Sequence, residues 1–413
     1  MGYIGLPTAT LFASRKIRVI GVDVSPYVVD TINQGNIHIV EPELDILVQA
    51  AVGAGYLRAT MQAEPADAFV IAVPTPLTDE QKPDVKCIEA AAKSIAPVLA
   101  KGNLVILEST SPVGTTEQLA TWLAEMRPDL TFPQSAGDDS DIRIAYCPER
   151  VLPGRIVHEL VANDRVIGGM TRKCSEAAVA LYRSFVQGEC VVTAVRAAEM
   201  CKLAENSFRD INIAFANELS MICDGQDIDV WELIRLANRH PRVNILQPGC
   251  GVGGHCIAVD PWFLVHGAPD DAKLIRAARE VNDAKPAWVV RKVEQAITKL
   301  TTMGVAFEDI RIACLGITYK ADIDDLRESP ALQIVRVLAK RYEDKVAVVE
   351  PHLLRLPDDL TGVRPELLTV GEAIAHAHIL VLLVDHAEFK NLKPEFTSKQ
   401  VLIDTRGIWK YTK

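Results

Sequence analysis

Short runs of consecutive apolar residues alternate with longer stretches of mixed polarity through the first third of the chain. Residues 18–23 (RVIGVD), 69–73 (FVIAV), 104–108 (LVILE) and 142–146 (IRIAY) read as strands buried on both faces. Helical stretches separate them, and that alternation predicts a parallel sheet covered on both sides, an α/β architecture. Each run stops at polar or turn-forming residues: Asp23, Pro74-Thr75-Pro76, Ser109-Thr110-Ser111-Pro112-Val113-Gly114, and Cys147-Pro148-Glu149-Arg150. Ligands of such sheets gather at the carboxyl ends of the strands, so these stops are the first candidate site.

The period changes near residue 196. Met200, Leu203, Ala204, Phe208, Ile211, Ala214, Phe215 and Leu219 recur every three to four positions, which predicts a long helix with an apolar face. A second helical stretch covers 271–299. After Gly304 apolar strands return at 310–316, 346–349, 379–384 and 401–404, a second α/β unit. The expected organisation is two Rossmann-like parallel-sheet domains, 1–190 and 301–413, joined by a central helical domain at 191–300.

The chain has 413 residues, 49% of them hydrophobic and 24% charged, and carries a net charge of −10. That length calls for two or three cores, and the acidic balance argues against a nucleic-acid partner. No apolar run reaches the roughly 18 residues of a membrane span, and no secretion signal opens the chain. Nine scattered cysteines without a CxxC pair fit reduced thiols in a cytoplasm. Cys250, His255 and Cys256 lack a fourth ligand at zinc-site spacing, so no metal is expected.

Four glycines in six residues surround the last of those thiols, in Gly249-Cys250-Gly251-Val252-Gly253-Gly254-His255-Cys256. Asp260 follows four residues after Cys256. A thiol presented by such a loop can attack a carbonyl carbon, although a buried inert cysteine after a turn is an equal reading. Gly2-Tyr3-Ile4-Gly5 matches the second half of a dinucleotide loop, and Asp23 falls where a carboxylate would take a ribose diol, favouring NAD over its 2′-phosphorylated relative. The strand expected before that loop is missing. A start roughly ten residues upstream would supply it.

Other candidates keep two readings each. Lys202 and Asn206 share a helical face and can steady an oxyanion or form a solvated stripe. Glu149 can be a general base or a surface acid, and Thr110 can hold a water or cap a helix. Lys320 and Arg327 can clamp phosphates or pair with the acids around them. Arg242, in the basic patch 239–242, can meet an anion or lie in solvent.

Taken in order, GYIGLP, Asp23, VPTP, STSPVGTT, CPER, KLAEN, GVGGHC-x3-D and YKADIDDLRESP make the whole chain resemble the UDP-glucose/GDP-mannose dehydrogenase family. Residues 39–42 (IVEP) and 237–244 (ANRHPRVN) are most similar to its branch acting on UDP-N-acetyl-D-mannosamine. Val259, where the UDP-glucose branch has lysine, points the same way.

The resemblance implies oxidation of a sugar C6 hydroxyl to the acid with two NAD, in supply of a bacterial surface polysaccharide such as enterobacterial common antigen. It implies Cys256 as a nucleophile forming a thiohemiacetal and then a thioester, with Lys202 keeping the thiol ionised. Lys202 and Asn206 would hold the C6 oxygen, Glu149 and Thr110 would assist hydrolysis, and Asp260 would move protons. NAD would lie on Gly2, Tyr3, Ile4, Gly5, Asp23, Pro74, Thr75, Thr110, Lys320 and Arg327. The UDP-sugar would meet Glu149, Arg150, Val151, Lys202, Asn206, Arg242, Gly253, Tyr319 and Lys320. A homodimer through the long helix is implied as well. Two rivals stand beside this: a single-hydride 3-hydroxyacid-type dehydrogenase, and a nucleotide-sugar-binding protein impaired by its short cofactor loop.

Overall fold

The computed structural model describes residues 1–152, 154–360 and 365–409. Two compact units, Met1–Glu205 and Asn206–Lys413, divide the chain within a single long helix, Val195–Asp224.

In the first unit, strands β1 (Val19–Val22) and β2 (Leu57–Thr60) pair in parallel as a sheet of their own. A separate five-stranded sheet runs β3 (Ala68–Ile71), β4 (Leu104–Leu107), β5 (Arg143–Tyr146), β6 (Arg165–Gly169) and β7 (Cys190–Ala194), in that order. The helix Gly5–Ser14 packs Leu6, Ala9 and Ala13 with Val29, Ile32 and Leu44 in one cluster, and Leu11 and Phe12 with Ile106 and Tyr182 in another. The Met1 side chain lies on Gly21, where a Cβ would come within 2.6 Å of it.

Two strands depart from the parallel expectation, β6 and the β7 that pairs with it in parallel. β6 runs antiparallel to β5, with Tyr146 opposite Gly168. Its two glycines make room for the neighbours this reversal brings. A Cβ on Gly168 would sit 2.6 Å from Val195, and one on Gly169 would sit 2.4 Å from Ser175.

In the second unit, all five strands are parallel, in the order β10 (Glu366–Leu367), β9 (Val346–Val349), β8 (Ile312–Leu315), β11 (Ile379–Leu382), β12 (Val401–Asp404). The helices Lys273–Thr302 and Pro330–Tyr342 bury Val289, Val293, Ile334 and Leu338 against one group of strand residues, including Ile312, Cys314 and Val381. Leu315, Leu380, Phe389 and Trp409 form a second cluster. No helix among the described residues is long and apolar enough to cross a membrane.

The long helix buries polar side chains among its apolar ones and exposes several large apolar residues. Asn206, Ser207, Asp210, Asn217 and Ser220 are buried, whereas Phe208, Phe215 and Ile222 are 68%, 54% and 51% exposed. Of the apolar positions read from the sequence, Leu203 and Ala214 are buried, but Met200, Phe208 and Phe215 face outward.

Candidate active site

The first unit places five candidate groups at the ends of its strands and one on the long helix. Asp23 follows β1. Its Oδ2 accepts from the Met1 ammonium at 2.6 Å, and its Oδ1 accepts from the Ser25 amide at 2.9 Å. Burial raises this carboxyl, but those two hydrogen bonds outweigh it and hold Asp23 below the ordinary range. A Cβ on Gly2 would meet nothing, so the backbone there faces open space beside the N-terminus of the helix Gly5–Ser14. An open glycine, a helix N-terminus and a carboxylate with lone pairs to spare fit the pyrophosphate and ribose of a dinucleotide. Tyr3 packs into the core beneath.

The ends of β3 and β4 are tied together. Thr75 Oγ1 donates to the Thr110 carbonyl, and the Val73 amide, just before Pro74, donates to Ser109 Oγ at 2.8 Å. The turn beyond Thr110 is held by Glu199, which the sequence reading passed over. Its carboxylate accepts from the Gly114 amide at 2.6 Å and from the Thr116 amide and hydroxyl at 2.8 and 2.7 Å. It thus caps the helix Thr115–Met126, where a negative charge suits the helix dipole. Glu199 precedes Lys202 and Asn206 at helical spacing, and polar residues recurring with that period are the signal that could have found it.

Glu149 lies beyond β5, buried, with Oε1 lacking a hydrogen-bond partner. Burial pushes its carboxyl up to about 7, although Lys202 and Arg165 pull the other way. Two residues earlier, Cys147 is forced up to about 12, also by burial. Arg165 bonds Glu108 at 3.2 Å, stacks over the Tyr182 ring at 4.9 Å and reaches Cys147 Sγ at 3.9 Å. Arg150 is turned to Glu205, with Nη2 to Oε1 at 2.6 Å, and Val151 is half-buried. Lys202 is buried on the helix that also presents Glu199.

The second unit holds the thiol. Cys256 is exposed, on the loop between Gly249 and the helix Asp260–Gly267. The Cys256 carbonyl accepts from the Asp260 amide at 2.9 Å, which folds the thiol and the carboxylate into one turn. Asp260 is buried, and Asn206 Nδ2 donates to its Oδ2.

The glycines of this loop answer to packing within the protein. A Cβ on Gly253 would come within 2.4 Å of the Glu328 carbonyl and 2.8 Å of Pro330 and Tyr319. Gly254 takes a φ of +82° with its Cα against the Tyr319 ring, and its amide donates to the Arg327 carbonyl at 3.1 Å. The GVGGHC and YKADIDDLRESP motifs are therefore two sides of one contact. Arg327 pairs with Asp325 at 2.6 Å, as one of its two readings foresaw. Lys320 and Tyr319 are half-buried in the same segment, and Arg242 is exposed.

The candidate residues fall in both units. Asp23, Thr75, Thr110, Glu149, Arg150 and Lys202 belong to the first, and Asn206, Arg242, Gly253, Cys256, Asp260, Tyr319, Lys320 and Arg327 to the second. The first carries the dinucleotide features and the raised carboxyl, and the second carries the thiol.

Comparison with known proteins shows the family. Three models of the UDP-glucose/GDP-mannose dehydrogenase family match in sequence order: the NAD binding domain over residues 1–186, the central domain over 196–284 and the UDP binding domain over 313–411. An NDP-N-acetyl-D-galactosaminuronic acid dehydrogenase of Ralstonia nicotianae is 63% identical, covering 99% of this chain and 95% of the relative. A UDP-N-acetyl-D-mannosamine dehydrogenase of Yersinia pestis is 61% identical, covering 99% and 98%. Among solved structures, a UDP-D-ManNAc dehydrogenase from Pyrococcus horikoshii superposes with a TM-score of 0.88 at 39% identity, covering 99% of this chain and 94% of that one. The chain belongs to the UDP-glucose/GDP-mannose dehydrogenase family, whose members' NAD- and UDP-binding domains it carries.

Proposed function

We propose that the protein oxidises the C6 hydroxyl of UDP-N-acetyl-D-mannosamine to the carboxylate, in two steps, through a covalent adduct on Cys256. NAD, when bound, accepts one hydride in each oxidation. Asp23, Gly2 and the helix N-terminus at Gly5 would hold it, with Thr75 and Thr110 alongside. Lys202 and Asn206 steady the C6 oxygen as it gives up its proton and becomes a carbonyl. The Cys256 thiolate then adds to the aldehyde carbon, forming a C–S bond, and the oxygen takes a proton. Loss of the second hydride and of the hydroxyl proton leaves a thioester. Glu149, with Thr110 positioning a water, takes a proton from that water. The water oxygen displaces the thiolate and yields the acid. Overall, one alcohol, two NAD and one water give one carboxylate, two NADH and three protons.

The observation that carries this reading is the exposed Cys256 thiol one turn from Asp260, with Asp260 held by Asn206. Lys320 and Arg327 would meet phosphates, Arg327 exchanging Asp325 for them, while Arg150, Val151, Arg242, Gly253 and Tyr319 line the sugar nucleotide. Residues 191–300 would act as the central dimerising part between the cofactor and UDP portions. Phe208, Phe215 and Ile222 on the long helix support a homodimer through that face, and reduced thiols support a cytoplasmic protein.

The 63% identical relative, named an NDP-N-acetyl-D-galactosaminuronic acid dehydrogenase, favours a second sugar, N-acetyl-D-galactosamine on a nucleoside diphosphate. The test is NADH counted per sugar across UDP-N-acetylmannosamine, UDP-N-acetylgalactosamine, UDP-N-acetylglucosamine, UDP-glucose and GDP-mannose. The reading expects two NADH and an acid, fastest with UDP-N-acetylmannosamine. One NADH per sugar would return the single-hydride alternative. Preference for UDP-glucose or GDP-mannose would overturn the substrate.

A further inference from the structure

Several side chains anchor the Cys256 loop, and two of them have no part in the chemistry above. At the start of the loop the Gly249 amide donates to Asn217 Oδ1 at 2.8 Å. At its end Asp260 accepts from Asn206. Between these points Arg279, on the helix Lys273–Thr302, uses one nitrogen twice. Its Nη1 donates to Asp210 Oδ1 at 2.7 Å and to the carbonyl of Ile257, the residue after Cys256, at 3.4 Å. Its Nη2 pairs with Asp283. Asn282 braces the arrangement, donating to Asp210 Oδ1 at 2.8 Å and accepting from Asn217 Nδ2 at 2.9 Å.

Asn206, Asp210 and Asn217 lie on the buried side of one helix, so the loop is indexed against a single rigid element. Arg279 and Asp210 are 1% and 0% exposed. A buried ion pair recovers little more than its own desolvation, so stability alone is a poor reason for its presence. What a guanidinium adds is a planar fork that can hold two carboxylates and a carbonyl at fixed angles, which an ammonium cannot.

We propose that Arg279, braced by Asp210, is a positioning residue for Cys256, fixing the carbonyl that follows the thiol and so the thiol's direction of attack. This rests on Cys256 being the nucleophile of the reaction above.

The test uses full-length Arg279→Lys, with two rates measured separately. One is the first hydride from the UDP-sugar in a single turnover. The other is oxidation of the corresponding C6 aldehyde, which needs the thiol. Aldehyde oxidation is expected to fall about tenfold to a hundredfold, the scale of a misplacement near 1 Å, with the first hydride and the sugar KM little changed. Equal loss of both rates, or loss of neither, overturns the proposal. Should Arg279→Lys not fold, Asp210→Asn, which keeps the Arg279–Asp283 pair, is read in the same way. Failure of both to fold assigns Arg279 to stability and also overturns the proposal. Cys256→Ser is the control. If it oxidises the aldehyde at the wild-type rate, the nucleophile reading falls whatever Arg279 does.

Discussion

Asn206 donates its amide hydrogen to Asp260, joining the long helix to the turn that carries Cys256. Both partners are buried, so removing the donor takes one hydrogen bond from a carboxylate shielded from bulk water. Asn206→Ala should therefore lose about 1–3 kcal/mol of stability. If the amide also steadies the C6 oxygen, kcat should drop by about a hundredfold to a thousandfold. Thermal melting and steady-state kinetics on one preparation separate the two effects, and an unchanged kcat would remove Asn206 from the chemistry.

Cys256→Ser keeps the shape of the loop and replaces the thiol with a far weaker nucleophile. The variant should still produce the first NADH and stall before the acid. Counting NADH against product by mass spectrometry checks this, and full acid formation would contradict it.

The raised carboxyl of Glu149 gives a pH dependence with a definite sign. Burial, only partly offset by Lys202 and Arg165, lifts it to about 7 in the folded protein, against an ordinary value near 4.5. The folded state thus holds the proton more tightly than the unfolded chain. Its contribution to stability is complete below about pH 4.5 and is lost as pH rises through 7, a change on the order of 3 kcal/mol. Activity runs the other way, because a general base works only when ionised. Hydrolysis of the thioester should rise across pH 7, and Glu149→Gln should flatten both profiles. Denaturant unfolding and acid release at a series of pH values measure them.

Gly253 is set by close packing. A methyl group there meets the Glu328 carbonyl, Pro330 and Tyr319 at once. Gly253→Ala should cost about 1–3 kcal/mol, as overpacking does, and should slow aldehyde oxidation through the shifted loop. Gly55→Ala is a useful contrast: its φ of +74° leaves backbone strain, but nothing lies within 4 Å of the added methyl. Loss of activity in Gly253→Ala alone would tie the effect to the contact with Tyr319 and Pro330.

Phe208, Phe215 and Ile222 leave a line of apolar side chains in solvent. Replacing Phe208 and Phe215 together with Asp should shift the mass in light scattering from dimer to monomer. A wild-type protein that is monomeric at micromolar concentration would dismiss the interface.

Much of the fold was legible because its strands are apolar throughout, and 104–108 and 379–384 can hardly be read otherwise. Four strands escaped for physical reasons, β10 because it is only two residues long and exposed at both. β2 alternates buried and exposed positions over only four residues, β6 is broken by the adjoining Gly168 and Gly169, and β7 exposes Val191 and Val192. Cys256, Asp260 and Asn206 were candidates from motif and spacing, and the structure brings them together. Glu199, Asp210 and Arg279 were not, because a polar side chain on a helix reads as solvated until its burial is seen. The glycines of the loop were read as presenting a thiol, while the structure shows them making room for Tyr319 and Pro330.

The span from Asn206 to Asn217 works as a ruler. Each inserted or deleted residue would turn whatever follows by about 100° and shift it by about 1.5 Å, swinging Asp210 or Asn217 off its partner and Phe215 inward. Changes of length within those eleven steps are therefore forbidden in a way that changes of residue on the outer side are not. Variation among functional relatives should consist there of substitutions alone, with insertions and deletions confined to loops beyond the helix.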